Sequence, residues 1–190
     1  MGVQQFKFEA VAEIEGLKVI SPFIASDDRG LFRKTYEHNI FEENGINIEV
    51  SEVEESVSMK GVLRGLHMQH TAPQHKLIHV THGKIFDVAV DARKGSPSFG
   101  KYFSIVLSAE NHQMLYIPAG FFHGFLTLED NTVFSCVCCG DYSKEFDAGI
   151  RWDDETVNIQ WPLHEIGQPI LSDKDRNAIS FQEYCERYTW

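Results

Sequence analysis

Between residues 75 and 139 the chain is a succession of short β-branched and aromatic runs cut by turn residues, and no other feature constrains the fold as strongly. HKLIHVTHG, KIFDVAVDARKGSPSFG, KYFSIVLSAEN, HQMLYIPAG, HGFLTLEDN and TVFSCVCCGD follow one another with no helical periodicity between them. Strands recurring every 8–12 residues or so are those of an antiparallel sandwich or barrel. Gly83, Gly95, Pro97, Gly100, Pro118 and Gly120 supply the turns or bends. Helix is scarce: one short helix is predicted over 35–45, with Gly45 left-handed at its end, and another over 175–188. No internal repeat, low-complexity tract or linker breaks the pattern, so residues 1–190 are expected to form one domain. A domain of that size buries roughly 70% of its unfolded surface, and neither metal nor disulfide is needed to hold it together.

Charge and cysteine content narrow the function. A net charge of −11 disfavours nonspecific binding to nucleic acid or to an acidic membrane. An anionic small molecule stays compatible with it, because charges farther apart than about 8 Å are screened and local clusters of Arg, Lys and His decide. No apolar run approaches the ~20 residues of a membrane span. The N-terminal MGVQQFKFEA has no hydrophobic signal core, so the expected setting is cytoplasmic. Cys136, Cys138, Cys139 and Cys185 do not form paired CxxC sets and are expected to be free thiols, three of them in one strand.

The stretch IPAGFFHGF carries a P-x-G-x-x-H pattern ending at His123, and resembles the second motif of the cupin jelly rolls. Metal-binding cupins add an H-x-H motif with a glutamate close behind it. Here His67 and His70 are spaced H-x-x-H, and TAPQHKL supplies no carboxylate. Strand alternation also sends His67 and His70 to opposite faces. The expectation is therefore an all-β double-stranded β-helix, a cupin-like jelly roll with short peripheral helices and no metal.

GVLRGLHMQH, residues 61–70, is too polar for a plain core strand and too apolar for a surface loop. Either its histidines hold a metal, or one moves protons while Arg64 grips an anion. DDRG, KGVLRGLHMQ, HKLIHVTHGKIFDVAVDARKGSPSFGK, LSAENHQMLYIPAGFFHGF, GIRWDD, IQWP and LSDKD together resemble the dTDP-4-dehydrorhamnose 3,5-epimerases, from about residue 20 to 178 and in the same order. The resemblance implies proton removal and return beside the C4 ketone of a nucleotide-diphospho-4-keto-6-deoxyhexose, in deoxysugar biosynthesis, without metal or redox cofactor. It also implies a homodimer that passes N-terminal strand residues around DDRG into the neighbour's site.

Roles follow from the same resemblance. His67 would be the base, oriented by Asp175, and Lys76 would stabilise the enolate oxygen. Alternation independently puts Lys76 on the face of Ile78 and Val80, where an ammonium needs a reason to be. Arg29 and Arg64 match residues that grip the diphosphate, and His123 matches a further site histidine. Taken alone, Asp175 also reads as the N-cap of the terminal helix.

The chain departs from the family pattern at several of these positions. Aligned from His123, the family's catalytic tyrosine falls on Cys136, a shorter acid. Lys34 replaces a glutamate, Glu52 and Glu54 replace a glutamine and an asparagine, and Asp141 stands where an aromatic packs against the base. These changes leave open a monoepimerase acting at C3 or C5 alone on another nucleotide sugar, and a sugar-nucleotide-binding jelly roll without catalysis. Retention of His67, Lys76 and Asp175 together argues against the latter, since binding alone needs no base.

Overall fold

A computed structural model describes residues 2–188. In chain order its strands are β1 (Gly2–Gln4), β2 (Lys7–Ala10), β3 (Lys18–Ser21), β4 (Phe23–Asp27), β5 (Gly30–Lys34), β6 (Glu52–Ser58) and β7 (Leu63–Gln69). They continue with β8 (His75–His82), β9 (Lys84–Asp91), β10 (Tyr102–Ser108), β11 (Met114–Ile117), β12 (Phe121–Thr127), β13 (Thr132–Cys139) and β14 (Asp147–Gly149). Among the described residues three short α-helices accompany them: α1 (His38–Glu43) between β5 and β6, and α2 (Asp173–Arg176) and α3 (Phe181–Arg187) after β14.

Two antiparallel sheets carry the molecule, one ordered β10-β9-β12-β7-β14 and the other β2-β3-β11-β8-β13-β6. They face each other as the halves of a jelly roll, as expected. Between them lie Ile78, Val80, Ile85, Ala89, Leu107, Leu115, Phe125 and Phe134, all buried. A second apolar layer covers the outer face of the five-stranded sheet, where Leu66, Met68, Val88, Val90 and Phe122 meet Trp161, Phe181 and Tyr184. A third joins Leu77, Met114 and Tyr116, on the outer face of the six-stranded sheet, to Phe41 and Ile46 around α1. The period of two thus sends alternate residues of β8 and β9 into different layers. A small separate sheet, β1-β4-β5, stands at the N-terminal end.

The six predicted strands of 75–139 are present as β8 to β13. The first helix is shorter than the predicted 35–45, and Gly45 follows it at φ +73°. The helix predicted over 175–188 is two helices. Ser172 and Ser180 each cap one, accepting the N–H of Asp175 and of Glu183, and between the helices Ile179 makes a parallel bridge to Ile150. Asp175 is therefore the third residue of α2, and Ser172 rather than Asp175 is the cap.

Candidate active site

The site lies between β7 and β12 of one sheet and β6, β8 and β13 of the other, and a fault in strand alternation builds it. In β7, Arg64 and His67 are three apart, so strict alternation would send them to opposite faces. In the pairing with β12, however, Arg64 stands opposite Phe125 and His67 opposite His123, with a register shift between. Three steps on β7 answer two on β12, which makes a bulge that returns both side chains to the inner face. Gly65 sits at the bulge with φ +107°, and a Cβ there would lie 2.6 Å from Gly124 Cα and from the His123 carbonyl oxygen. Leu63 and Leu66, also three apart, both enter the outer layer for the same reason.

A cleft of about 420 Å³ opens between the sheets, lined by Arg64, His67 and His123 on one wall and Lys76, Cys136 and Glu54 on the other. A second cavity of about 300 Å³ shares His67, Lys76 and Glu54 with it and adds Cys138, Tyr142 and Lys174.

His67 Nε2 lies 2.5 Å from Asp175 Oδ1, and Asp175 Oδ2 accepts from Ser172 Oγ at 2.7 Å. Asp175 is 4% exposed and His67 32%, so the carboxylate is hidden while the imidazole faces the cleft. Burial pushes the Asp175 carboxyl up, but hydrogen bonds from His67 and Ser172 outweigh it and hold the group below its ordinary value. Lys76, on the opposite wall, makes no ion pair among the described residues. It shares its face with buried Ile78 and Val80, as alternation predicts.

His123 is buried and its Nε2 lies 2.8 Å from Asp87 Oδ1. Burial depresses the basicity of His123, and Asp87 only partly restores it. Asp87 Oδ2 has no hydrogen-bond partner among the described residues. Sequence reading missed Asp87; the available signal was a carboxylate in step with Ile85 and Ala89 on an apolar strand face. Arg64 spends only its Nε, on Ser58 Oγ at 3.2 Å, and is exposed to the cleft. Cys136, Cys138 and Cys139 are buried free thiols in β13, and Cys136 Sγ lies 3.4 Å from Cys138 Sγ.

The remaining sequence candidates fall elsewhere within this chain. Arg29 is 90% exposed on the β4–β5 hairpin and pairs with Asp27 at 2.6 Å. Lys34 pairs with Glu37 at 2.5 Å at the other end of β5. Glu52 accepts from the Tyr142 N–H at 3.1 Å and lines neither cavity. Asp141 lines a different, outer cavity with His75 and Cys139, while its neighbour Tyr142, 53% exposed, lines the second cavity that His67 also borders.

The model of the family described as dTDP-4-dehydrorhamnose 3,5-epimerase matches residues 11–183. The dTDP-4-dehydrorhamnose 3,5-epimerase of Methanothermobacter thermautotrophicus is 44% identical over 179 residues, covering 94% of this chain and 96% of that protein. A Legionella pneumophila 3,5-epimerase solved with dTDP-4-keto-L-rhamnose superposes with a TM-score of 0.88 at 39% identity, over 93% of each chain. A 3'-monoepimerase from Streptomyces bikiniensis, solved with dTDP-quinovose, reaches a TM-score of 0.83 at 32% identity over 90% of this chain and 86% of that one. With the jelly roll, the match over residues 11–183 and the level of identity agreeing, the chain belongs to the dTDP-4-dehydrorhamnose 3,5-epimerase family.

Proposed function

We propose that residues 1–190 act as one jelly-roll isomerase that epimerises a dTDP-linked 4-keto-6-deoxyhexose by abstracting and returning protons beside the C4 ketone. The observation that carries this reading is the His67–Asp175 pair facing Lys76 across the cleft. With Nε2 bound to Asp175, the Nδ1 of His67 is the nitrogen free to take a proton from carbon, and the buried carboxylate stabilises the imidazolium that forms. The ammonium of Lys76 supports the enolate oxygen, and the unspent guanidinium nitrogens of Arg64 suit the diphosphate. Cys136 is the acid for the face of the ring away from His67. His123, held by Asp87, borders the same cleft and supplies a polar contact to the sugar or its phosphates.

A functional homodimer accounts for Arg29. The exposed hairpin that bears it also exposes Leu31 (55%) and Phe32 (60%), which supports burial against a second copy and delivery of Arg29 and Lys34 to that copy's cleft. Thiols kept unpaired suit a reducing, cytoplasmic setting.

A thiol where the family has a phenol favours a second reading, in which C3 alone is inverted. Incubation with dTDP-4-keto-6-deoxyglucose in D₂O, followed by NMR, tests both. Deuterium with inversion at C3 and C5 is the expected result, and label at C3 only establishes the monoepimerase. No label with this or the corresponding GDP, CDP and UDP sugars leaves a binding protein.

A further inference from the structure

Cys136 and Cys138 leave β13 on the same face, and their sulfurs are within sulfur hydrogen-bond distance at 3.4 Å. They open on different spaces: Cys136 lines the main cleft and Cys138 the second cavity. In the six-stranded sheet Cys138 stands opposite Lys76 on β8, while Cys136 stands opposite Ile78. The two thiols therefore connect the main cleft with the adjoining second cavity, with the ammonium that borders both beside the outer sulfur.

That arrangement answers a difficulty with a cysteine acid. A buried thiol that gives up its proton becomes a thiolate in apolar surroundings and must be reprotonated every turnover. We infer that Cys138 is the relay residue that returns a proton to Cys136 from the second cavity; the inference rests on the epimerase reading with Cys136 as its acid. As the enolate collapses, its electron pair forms the new C–H bond, the carbonyl re-forms and the Cys136 S–H bond breaks. The Cys138 proton then crosses to Cys136, leaving the negative charge on Cys138 beside Lys76. Solvent entering the second cavity restores the Cys138 proton, and His67 releases the one it took, so no oxidant or other reactant is required. The acidities agree in direction. Contact with Cys138 and burial push the Cys136 thiol well up, whereas contact with Cys136 pulls Cys138 down against burial, so a single proton shared by the pair settles on Cys136.

The test separates the two faces of the sugar. Proton exchange on the His67 face washes deuterium into the substrate without inversion and needs no thiol, whereas inversion needs the Cys136 face. In D₂O, Cys138→Ala should lower the inversion rate about tenfold or more while leaving label without inversion and KM near wild type. The alkaline limb of the inversion profile should also move to higher pH, because the more acidic sulfur is gone. Cys138→Val, close in volume and suited to a strand, serves if the alanine variant does not fold. Wild-type inversion rates in these variants, or equal loss of inversion and of His67-face label, would overturn the relay. Wild-type protein that labels substrate without ever inverting it removes the thiols from the chemistry and leaves the base in place. Wild-type protein that does neither withdraws the epimerase reading, and the relay with it.

Discussion

His67 and Asp175 are 108 residues apart, yet His67 Nε2 and Asp175 Oδ1 meet at 2.5 Å. α2 presents the carboxylate: Ser172 caps that helix, accepts the Asp175 N–H at 3.1 Å and donates to its Oδ2 at 2.7 Å, so the helix cap and the orientation of the carboxylate are one hydrogen-bond set. Such a pair fixes the imidazole tautomer and stabilises its protonated form.

Asp175→Asn keeps the shape and removes the charge. The expected result is a loss in kcat of about 10²–10⁴-fold with little change in KM, as for other carboxylates that orient a basic histidine. Steady-state kinetics would check it, and an unaltered kcat would release His67 from the role of base. Because the folded carboxyl titrates below its ordinary value, its contribution to stability is present above about pH 3.9 and is lost as pH falls through the lower folded value. Wild-type protein should accordingly show an acid limb in this range that the variant lacks.

A histidine outside the cleft sets a second pH dependence. His79 is pushed down to about 4, first by burial and then by the Arg33 charge, and its Nδ1 has no partner among the described residues. Arg33 in turn contacts His112 at 3.2 Å, and His112 is lowered for the same two reasons. The unfolded chain takes up these protons near pH 6.5 and the folded chain does not, so stability is full above 6.5 and declines toward pH 4. For His79 the decline amounts to about 3 kcal/mol at most. Urea unfolding at a series of pH values should show it, and His79→Gln should flatten the curve. Equal slopes in the two proteins would contradict this assignment.

Gly65 is the residue on which the site's geometry turns. Gly65→Ala forces a Cβ to 2.6 Å from Gly124 Cα, against backbone that cannot yield without breaking the β7–β12 pairing. The expected cost is about 2–5 kcal/mol from combined overpacking and strain, with loss of activity. Gly95→Ala is the control: its φ is +86° but nothing lies within 4 Å of the added carbon, so only the strain of about 1–2 kcal/mol remains. Thermal unfolding of both variants measures the difference.

The same bulge shows where sequence reading stops. Periodicity of two located β8 to β13 and put Lys76 inside, because those strands are continuous and one face is apolar. It could not join Arg64 to His67, since the extra residue at Gly65 is invisible until the partner strand is known. Asp175 was legible only through the family's LSDKD, its link to His67 being made by tertiary packing. Cys138 was missed because its place opposite Lys76 depends on register across strands, and Asp87 because its partner His123 lies on another strand, although its step with Ile85 and Ala89 was visible. The break between α2 and α3 comes from Ser180, which caps α3 inside the helical-looking run of 175–188, while Ser172 starts α2 ahead of that run.

Arg29 offers the test of whether two chains share a site. Its guanidinium is 90% exposed, pairs among the described residues only with Asp27 two residues away, and lies on a hairpin away from the cleft of its own chain. Arg29→Ala alone should raise KM for the nucleotide sugar about tenfold or more while changing kcat little, since diphosphate contacts act in ground and transition states alike. His67→Ala alone should abolish turnover. If the hairpin serves the neighbour, a heterodimer of the two variants holds one site with an intact His67 and an Arg29 contributed by the other chain. Denaturing and refolding the two together should then restore about a quarter of wild-type activity at low substrate, half the dimers being mixed and each mixed dimer having one complete site. Arg29 acting within its own chain leaves no complete site in any combination, so a mixture no more active than its separate components would exclude the exchange.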